Sequence, residues 1–188
     1  MSSRILIVTA LKAELELPGV LYTGVGKINA TWCLSRHFTQ QRPGLVINYG
    51  TAGGLNRGVS GLVEVSKVIQ ADMMAEPLAP RGKTPFDDTP HIYESGQPGV
   101  VCASGDSFVT FVDPWLLDQG VDVVDMELFA IATVCHRAGV PWRAFKFVSD
   151  YANEESGSDW QSNVHRGREA FMAVLGGINF VAEGEGRF

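Results

Sequence analysis

The sequence predicts an α/β fold, a mixed and mostly parallel sheet flanked by helices, in one domain spanning residues 1–188. Three observations predict it. Short, strand-length apolar runs recur along the chain, amphipathic helical repeats fall between them, and 188 residues suit one compact domain.

RILIVTAL (4–11) is the first apolar run. KINATWCLSRHFTQ (27–40) sets Ala30, Cys33, Leu34 and His37/Phe38 on one helical face. GLVINYG (44–50) is β-rich, and LVEVSKVIQA (62–71) alternates as a partly exposed strand does. Segment 72–98 holds five of the nine prolines and little periodicity, which predicts a long surface loop. GVVCAS (99–104) and VDVVDM (121–126) are further strands. LFAIATVCHRAG (128–139) has helical spacing and stops at Gly139-Val140-Pro141. WRAFKFVS (142–149) is a strand, and a last helix capped by Ser156 or Ser158 reaches about Val181, weakened at Gly176-Gly177.

In such folds sites lie beyond the carboxyl ends of the strands. That rule puts Thr9–Glu14, Gly50–Leu55, Ser104–Phe108, Asp125–Glu127 and Ser149–Asp150 at one rim. Composition narrows the partners. The net charge is −6, the pI is near 5.2, and no Lys/Arg run stands out. Nucleic acid and anionic membrane both need clustered cations, so neither is expected. No apolar run is long enough for a membrane span and no signal-peptide layout opens the chain, which predicts a cytoplasmic protein. Cys33, Cys102 and Cys135 read as buried free thiols, and the four histidines lack metal spacing, so no metal or cofactor is expected.

The rim is rich in acids. Burying a carboxylate costs several kcal/mol unless it is paired or used. Asp125 and Glu127 flank Met126 where a strand meets a helix. A helix N-terminus accounts for one acid; a carboxylate accepting two neighbouring sugar hydroxyls accounts for a second, with Met126 as a soft apolar wall. Asp150 is a turn acid or a general acid oriented by Ser149, and as an acid it needs burial or nearby negative charge to stay protonated. Glu14 is a plausible general base for water, whereas Glu16 reads as solvated. Gly50-Thr51-Ala52-Gly53-Gly54 follows a strand; it is either a tight turn or a place where Gly53 admits a ligand and Thr51 bonds it. Gly24-Val25-Gly26-Lys27 is either a glycine-rich helix entry or an anion site.

The ordered set TALKAELE (9–16), GVGKINA (24–30), INYGTAGGL (47–55), SGDSF (104–108), VDMELFAIATVCHRAGVPW (124–142) and FVSD (147–150) resembles the purine nucleoside phosphorylase/uridine phosphorylase superfamily. Its nearest match is the hydrolytic branch, the 5'-methylthioadenosine/S-adenosylhomocysteine nucleosidases. The resemblance implies a three-layer nucleoside phosphorylase-like fold, a small-molecule nucleoside substrate and a homodimer. It also implies roles. Glu14 would activate water, Asp150 would protonate the purine N7, and Met126 and Glu127 would hold the ribose. Phe108 would stack on the base, the Val109 backbone would read its edge, and Thr51 and Ser149 would support the water and Asp150.

Phosphorolysis requires cations for a phosphate dianion. The family's bacterial purine phosphorylases carry an arginine before the glycine-rich turn and another after the first strand. Here those places read Asn48-Tyr49 and Leu11-Lys12-Ala13-Glu14, which favours hydrolysis. Two further readings stay open: a phosphate-dependent phosphorylase and a non-catalytic nucleoside-binding protein. The chain also departs from the family. It omits a hairpin between Glu16 and Gly24, is Pro-rich over 72–98, is trimmed from Phe108 to Val121, and has Lys146 where the nucleosidases carry an arginine.

Overall fold

A computed structural model describes residues 4–153 and 155–178. The elements in chain order are β1 (Ile5–Thr9), β2 (Leu21–Tyr22), α1 (Lys27–Gln40), β3 (Leu45–Gly54), β4 (Leu62–Gln70), β5 (Ile92–Glu94) and β6 (Val100–Ser104), then α2 (Pro114–Asp118), β7 (Val123–Asp125), α3 (Leu128–Ala138), β8 (Trp142–Asp150), α4 (Ser156–Asn163) and α5 (Arg168–Gly177). The strands form one mixed sheet in the order β2-β1-β3-β7-β6-β4-β5, and β8 pairs with both β3 and β4. Five pairings are parallel (β1 with β2 and β3, β3 with β8, β4 with β6, β6 with β7) and three are antiparallel. Because β8 bridges β3 and β4, the centre of the sheet closes into a ring, β3-β7-β6-β4-β8.

Helices cover both faces, as the apolar repeats require. On one face α1 and α3 bury Ala30, Leu34, Leu128, Ile131 and Cys135 against Val8, Val46 and Val68. On the other, Phe171 and Leu175 of α5 pack on Ile7, Ile47, Tyr49 and Phe145. A third cluster joins Leu116 of α2 to Ile69, Ala103 and Val124. Helix α3 stops at Gly139, whose left-handed backbone (φ 62°) returns its N–H to Cys135 and His136 carbonyls.

Four local expectations change. First, the glycine-rich stretch does not follow a strand; it is the end of β3 itself. There β3 slips register against β8 between Ala52 and Gly53 and takes up β7 as an antiparallel partner. A Cβ on Gly53 would lie 3.0 Å from Asp150 Oδ1, and one on Gly54 3.0 Å from the Tyr151 ring. These glycines serve close approach, not a turn. Second, segment 72–98 contains β5, because Tyr93 is buried beside Phe129 and His136 while Ile92 and Glu94 face out. Third, α2 arises where no element was assigned, with Asp113 accepting from Trp115 N–H and Pro114 opening the helix. Fourth, the last helix is two. Gly167 ends the break between them, since a Cβ there would come within 2.5 Å of Phe147 and Tyr49. Ser156 is the first helical residue rather than the cap, and its hydroxyl accepts from Asn153 N–H. Val181 lies outside the described residues. Among the described residues no helix is long and apolar enough to cross a membrane.

Candidate active site

All five predicted rim segments line one cavity of about 310 Å³. It receives Glu14 from the loop after β1, Thr51 and Gly53 from β3, Phe108 and Val109 from beyond β6, Met126 and Glu127 from the β7–α3 junction, and Ser149 and Asp150 from β8. Every residue picked from the sequence is therefore in one place. The volume is that of a small-molecule pocket.

Glu14 is buried and holds four donors. Oε2 accepts from the Thr9 hydroxyl (3.1 Å) and Leu11 N–H (3.0 Å). Oε1 accepts from Thr51 N–H and the Thr51 hydroxyl, both at 2.9 Å. Its loop is tied down from behind: Arg168 of α5 donates to the carbonyls of Glu14 (3.0 Å) and Ala13 (2.7 Å).

The acids around Met126 divide their work. Asp125 accepts from Leu128 N–H (2.9 Å), the first helical residue of α3, and from the Ser104 hydroxyl. Phe129 N–H donates to that same hydroxyl oxygen (2.8 Å). Asp125 also pairs with Lys146 Nζ at 2.6 Å, and the lysine is only 1% exposed. The start of α3 is thus satisfied without Glu127, whose side chain is free to enter the pocket. Glu127 Oε1 accepts from Gly26 N–H at 2.9 Å. Burial first, and then the Asp125 charge, push the Glu127 carboxyl up to about 7. Burial works against the Lys146 charge, but Asp125, Cys102 and Glu127 outweigh it and raise its pKa.

Asp150 is buried, with Oδ2 accepting from the Ser149 hydroxyl (2.9 Å) and Oδ1 from Ala152 N–H (3.2 Å). Asn163 of α4 donates to the Ser149 carbonyl (2.8 Å). Phe108 stands at the cavity wall 47% exposed, and Val109 packs from the wall into the α2 cluster.

A family model described as "Phosphorylase superfamily" matches residues 14–178. The chain belongs to the phosphorylase superfamily. It is 31% identical over 162 residues to a 5'-methylthioadenosine/S-adenosylhomocysteine nucleosidase of Anoxybacillus flavithermus, covering 73% of this chain and 69% of that one. It is 27% identical over 173 residues to the nucleosidase of Chromohalobacter salexigens, covering 78% and 72%. Similar solved folds include two from Helicobacter pylori. One is a Helicobacter pylori MTAN mutant with 5'-methylthioadenosine in the active site (TM-score 0.81, 19% identity, 94% and 100% covered). The other is Helicobacter pylori futalosine hydrolase (TM-score 0.82, 20% identity, 93% and 96% covered).

In this superfamily member the start of α1 is not an open anion site. Gly26 N–H is taken by Glu127, and Lys27 N–H by Asp106 Oδ1 (2.8 Å). Lys27 Nζ pairs with Asp72 (2.5 Å) and Asp106 (3.2 Å). The glycine-rich helix entry is the reading that holds, with the protein's own carboxylates as the anions. Sequence reasoning placed a helix over α4 but missed its part in the site: Gly157, Trp160 and Gln161 line the cavity, and Trp160 Nε1 donates to Thr51 Oγ1 at 2.9 Å. It also missed Arg168, which nothing in its local sequence marks.

Proposed function

We propose that this chain is a purine nucleosidase that hydrolyses the N-glycosidic bond of a 5'-modified adenosine, methylthioadenosine- or adenosylhomocysteine-like, and releases the free base. One observation carries the reading: buried Glu14, Glu127 and Asp150 meet at a single cavity, each held differently. The relatives named as nucleosidases support the substrate class.

In this mechanism Glu127 accepts the ribose hydroxyls beside Met126, and Phe108 and the Val109 backbone take the purine. Asp150, held by Ser149, gives a proton to N7. The C1'–N9 bond breaks with its electron pair going to the base, and the sugar passes through an oxocarbenium-like state that the carboxylates stabilise. Water adds to C1' as Glu14 takes its proton. The products are neutral base and a 5'-modified ribose.

Hydrolysis is preferred to phosphorolysis because Lys27 and Lys146 are each committed to carboxylates and α1 presents no vacant N–H at Gly26 or Lys27. Among the described residues lining the cavity there is no Lys or Arg. A phosphate dianion would meet Glu14 and Glu127 instead. Free-base release from methylthioadenosine, adenosylhomocysteine, adenosine and inosine, with and without phosphate, tests this. Adenine release without phosphate is expected. Release that requires phosphate makes it a phosphorylase, and binding without release makes it a nucleoside-binding protein; either result overturns the proposal.

The state of Glu127 sets a pH dependence. Its carboxyl titrates near 7, so it is protonated below and charged above that value. The charged form accepts two hydroxyls and the protonated form competes as a donor. Affinity for a non-hydrolysable nucleoside analogue is therefore expected to rise as pH goes from 6 to 8. Glu127→Gln should bind weakly with a flat profile; a wild-type profile equally flat would rule out this role.

On the same reading the chain works in the cytoplasm, in keeping with three free cysteines, and acts as a homodimer. Val25, at the cavity wall, begins an exposed apolar stripe that Ile28 and Trp32 (69% exposed) continue at i+3 and i+7 along α1. Trp32→Asp is expected to shift the mass in solution from dimer to monomer, and an unchanged mass would remove that stripe from the interface.

A further inference from the structure

Both oxygens of Glu14 are already full: two donors each, which is the whole acceptor capacity of a carboxylate. A base in that state has no lone pair for a water proton until one donor leaves. Leu11 N–H and Thr51 N–H are backbone groups, and Thr9 is fully buried. The Thr51 hydroxyl is the remaining donor, half-buried at the cavity wall, and its hydrogen can turn about the C–O bond without moving a heavy atom.

What keeps Thr51 Oγ1 in place while its hydrogen turns is a second contact. Trp160, on α4, donates its indole N–H to that oxygen at 2.9 Å. Indole N–H is donor only, so it fixes the oxygen without competing for Glu14. Its ring is also part of the cavity wall. We infer that Trp160 is a positioning residue for the attacking water: it anchors Thr51 Oγ1 so that the hydroxyl hydrogen can swing from Glu14 to the oxygen of the water, opening one Glu14 lone pair for the water's proton.

Thr51 then donates to the water, the water donates to Glu14, and the remaining water lone pair faces the sugar carbon. No atom beyond those in the hydrolysis above is needed. The inference rests on the nucleosidase reading.

The test is a double-mutant cycle on base release. Trp160→Phe keeps the ring at the wall and removes the N–H. It is expected to lower kcat about tenfold while KM stays within about twofold, since the lost bond serves the reacting state and not the bound sugar. In a Thr51→Val background the same Trp160→Phe change should cost nothing further, because there is no hydroxyl left to anchor. An unchanged kcat in Trp160→Phe, or an equal loss in both backgrounds, overturns the role of Trp160 while leaving the nucleosidase standing. Absence of base release from the unmodified chain overturns both. A readout without turnover accompanies it: the Trp160 indole N–H should exchange with solvent faster in Thr51→Val than in the parent, and equal rates would count against the contact.

Discussion

Asp150→Asn is expected to lower base release by about 10³-fold or more while leaving the fold intact. General acid catalysis is commonly worth 10²–10⁴, and loss of a purine as an anion is the harder half of this reaction. The substitution is nearly isosteric. Asn keeps an oxygen for Ser149, which now donates at 2.9 Å, and fits the space that Gly53 leaves, where a Cβ would come within 3.0 Å of the carboxylate. The one contact given up is the long bond from Ala152 N–H to Oδ1 (3.2 Å), so thermal stability should shift by no more than a few degrees. A substrate chemistry separates the acid from a purely structural role. A ribosyl compound whose leaving group departs without protonation, such as a nitrophenolate, should be cleaved by Asp150→Asn at a rate close to that of the parent. Equal loss on both substrates would mean that Asp150 positions the sugar instead, and retained purine release would reject the mechanism.

The site was legible because its residues are costly where they stand. An acid at the end of an apolar strand has to be paid for by a partner or a function, which marks Glu127 and Asp150; Glu14, in the loop beyond β1, is marked only as a candidate base for water. The same argument left one of the two acids beside Met126 to a helix N-terminus without saying which. Asp125 looks identical in sequence, yet it caps α3 and pairs with Lys146, a residue twenty-one positions away whose burial no local pattern reveals. The strands and α1 followed from periodicity, with the α1 bounds matching those expected. What escaped depends on tertiary contact. Strand β5 is three residues long and is decided by Tyr93 meeting Phe129 and His136. The break before α5 is decided by Gly167 meeting Tyr49 and Phe147. Ring closure by β8 is a matter of which strand edges meet, on which hydrophobicity is silent. Trp160 left a faint signal: in SDWQSN it is a large aromatic without an apolar neighbour, which on a covering helix suggests a side chain turned to a cavity.

Lys146→Met is expected to destabilise the protein by about 3–5 kcal/mol, the usual cost of removing one partner of a buried pair. The ammonium is fully enclosed and sits 2.6 Å from Asp125 Oδ2, and Gly50 leaves it room: a Cβ there would be 3.2 Å from Nζ. Removing it strands the Asp125 charge, whose side chain has no exposure. For a chain of this length that loss lowers Tm by about 10 °C or more. The direct check is thermal and urea unfolding of Lys146→Met beside Asp125→Asn/Lys146→Met. The double variant should recover most of the loss, because the Asn oxygen still accepts from Leu128 N–H, its amide N–H can donate to the Ser104 hydroxyl oxygen, and nothing charged is left unpaired. A Lys146→Met protein as stable as the parent, or a double variant no better than the single, would show that the pair does not hold this junction. The consequence reaches the sugar site. Lys146 is among the groups that hold the Glu127 carboxyl down against burial and Asp125. Without it, Glu127 should titrate above about 7 and nucleoside affinity at neutral pH should fall, with the binding profile displaced to higher pH. In the double variant the Asp125 repulsion disappears as well, so the profile should move back toward that of the parent together with stability.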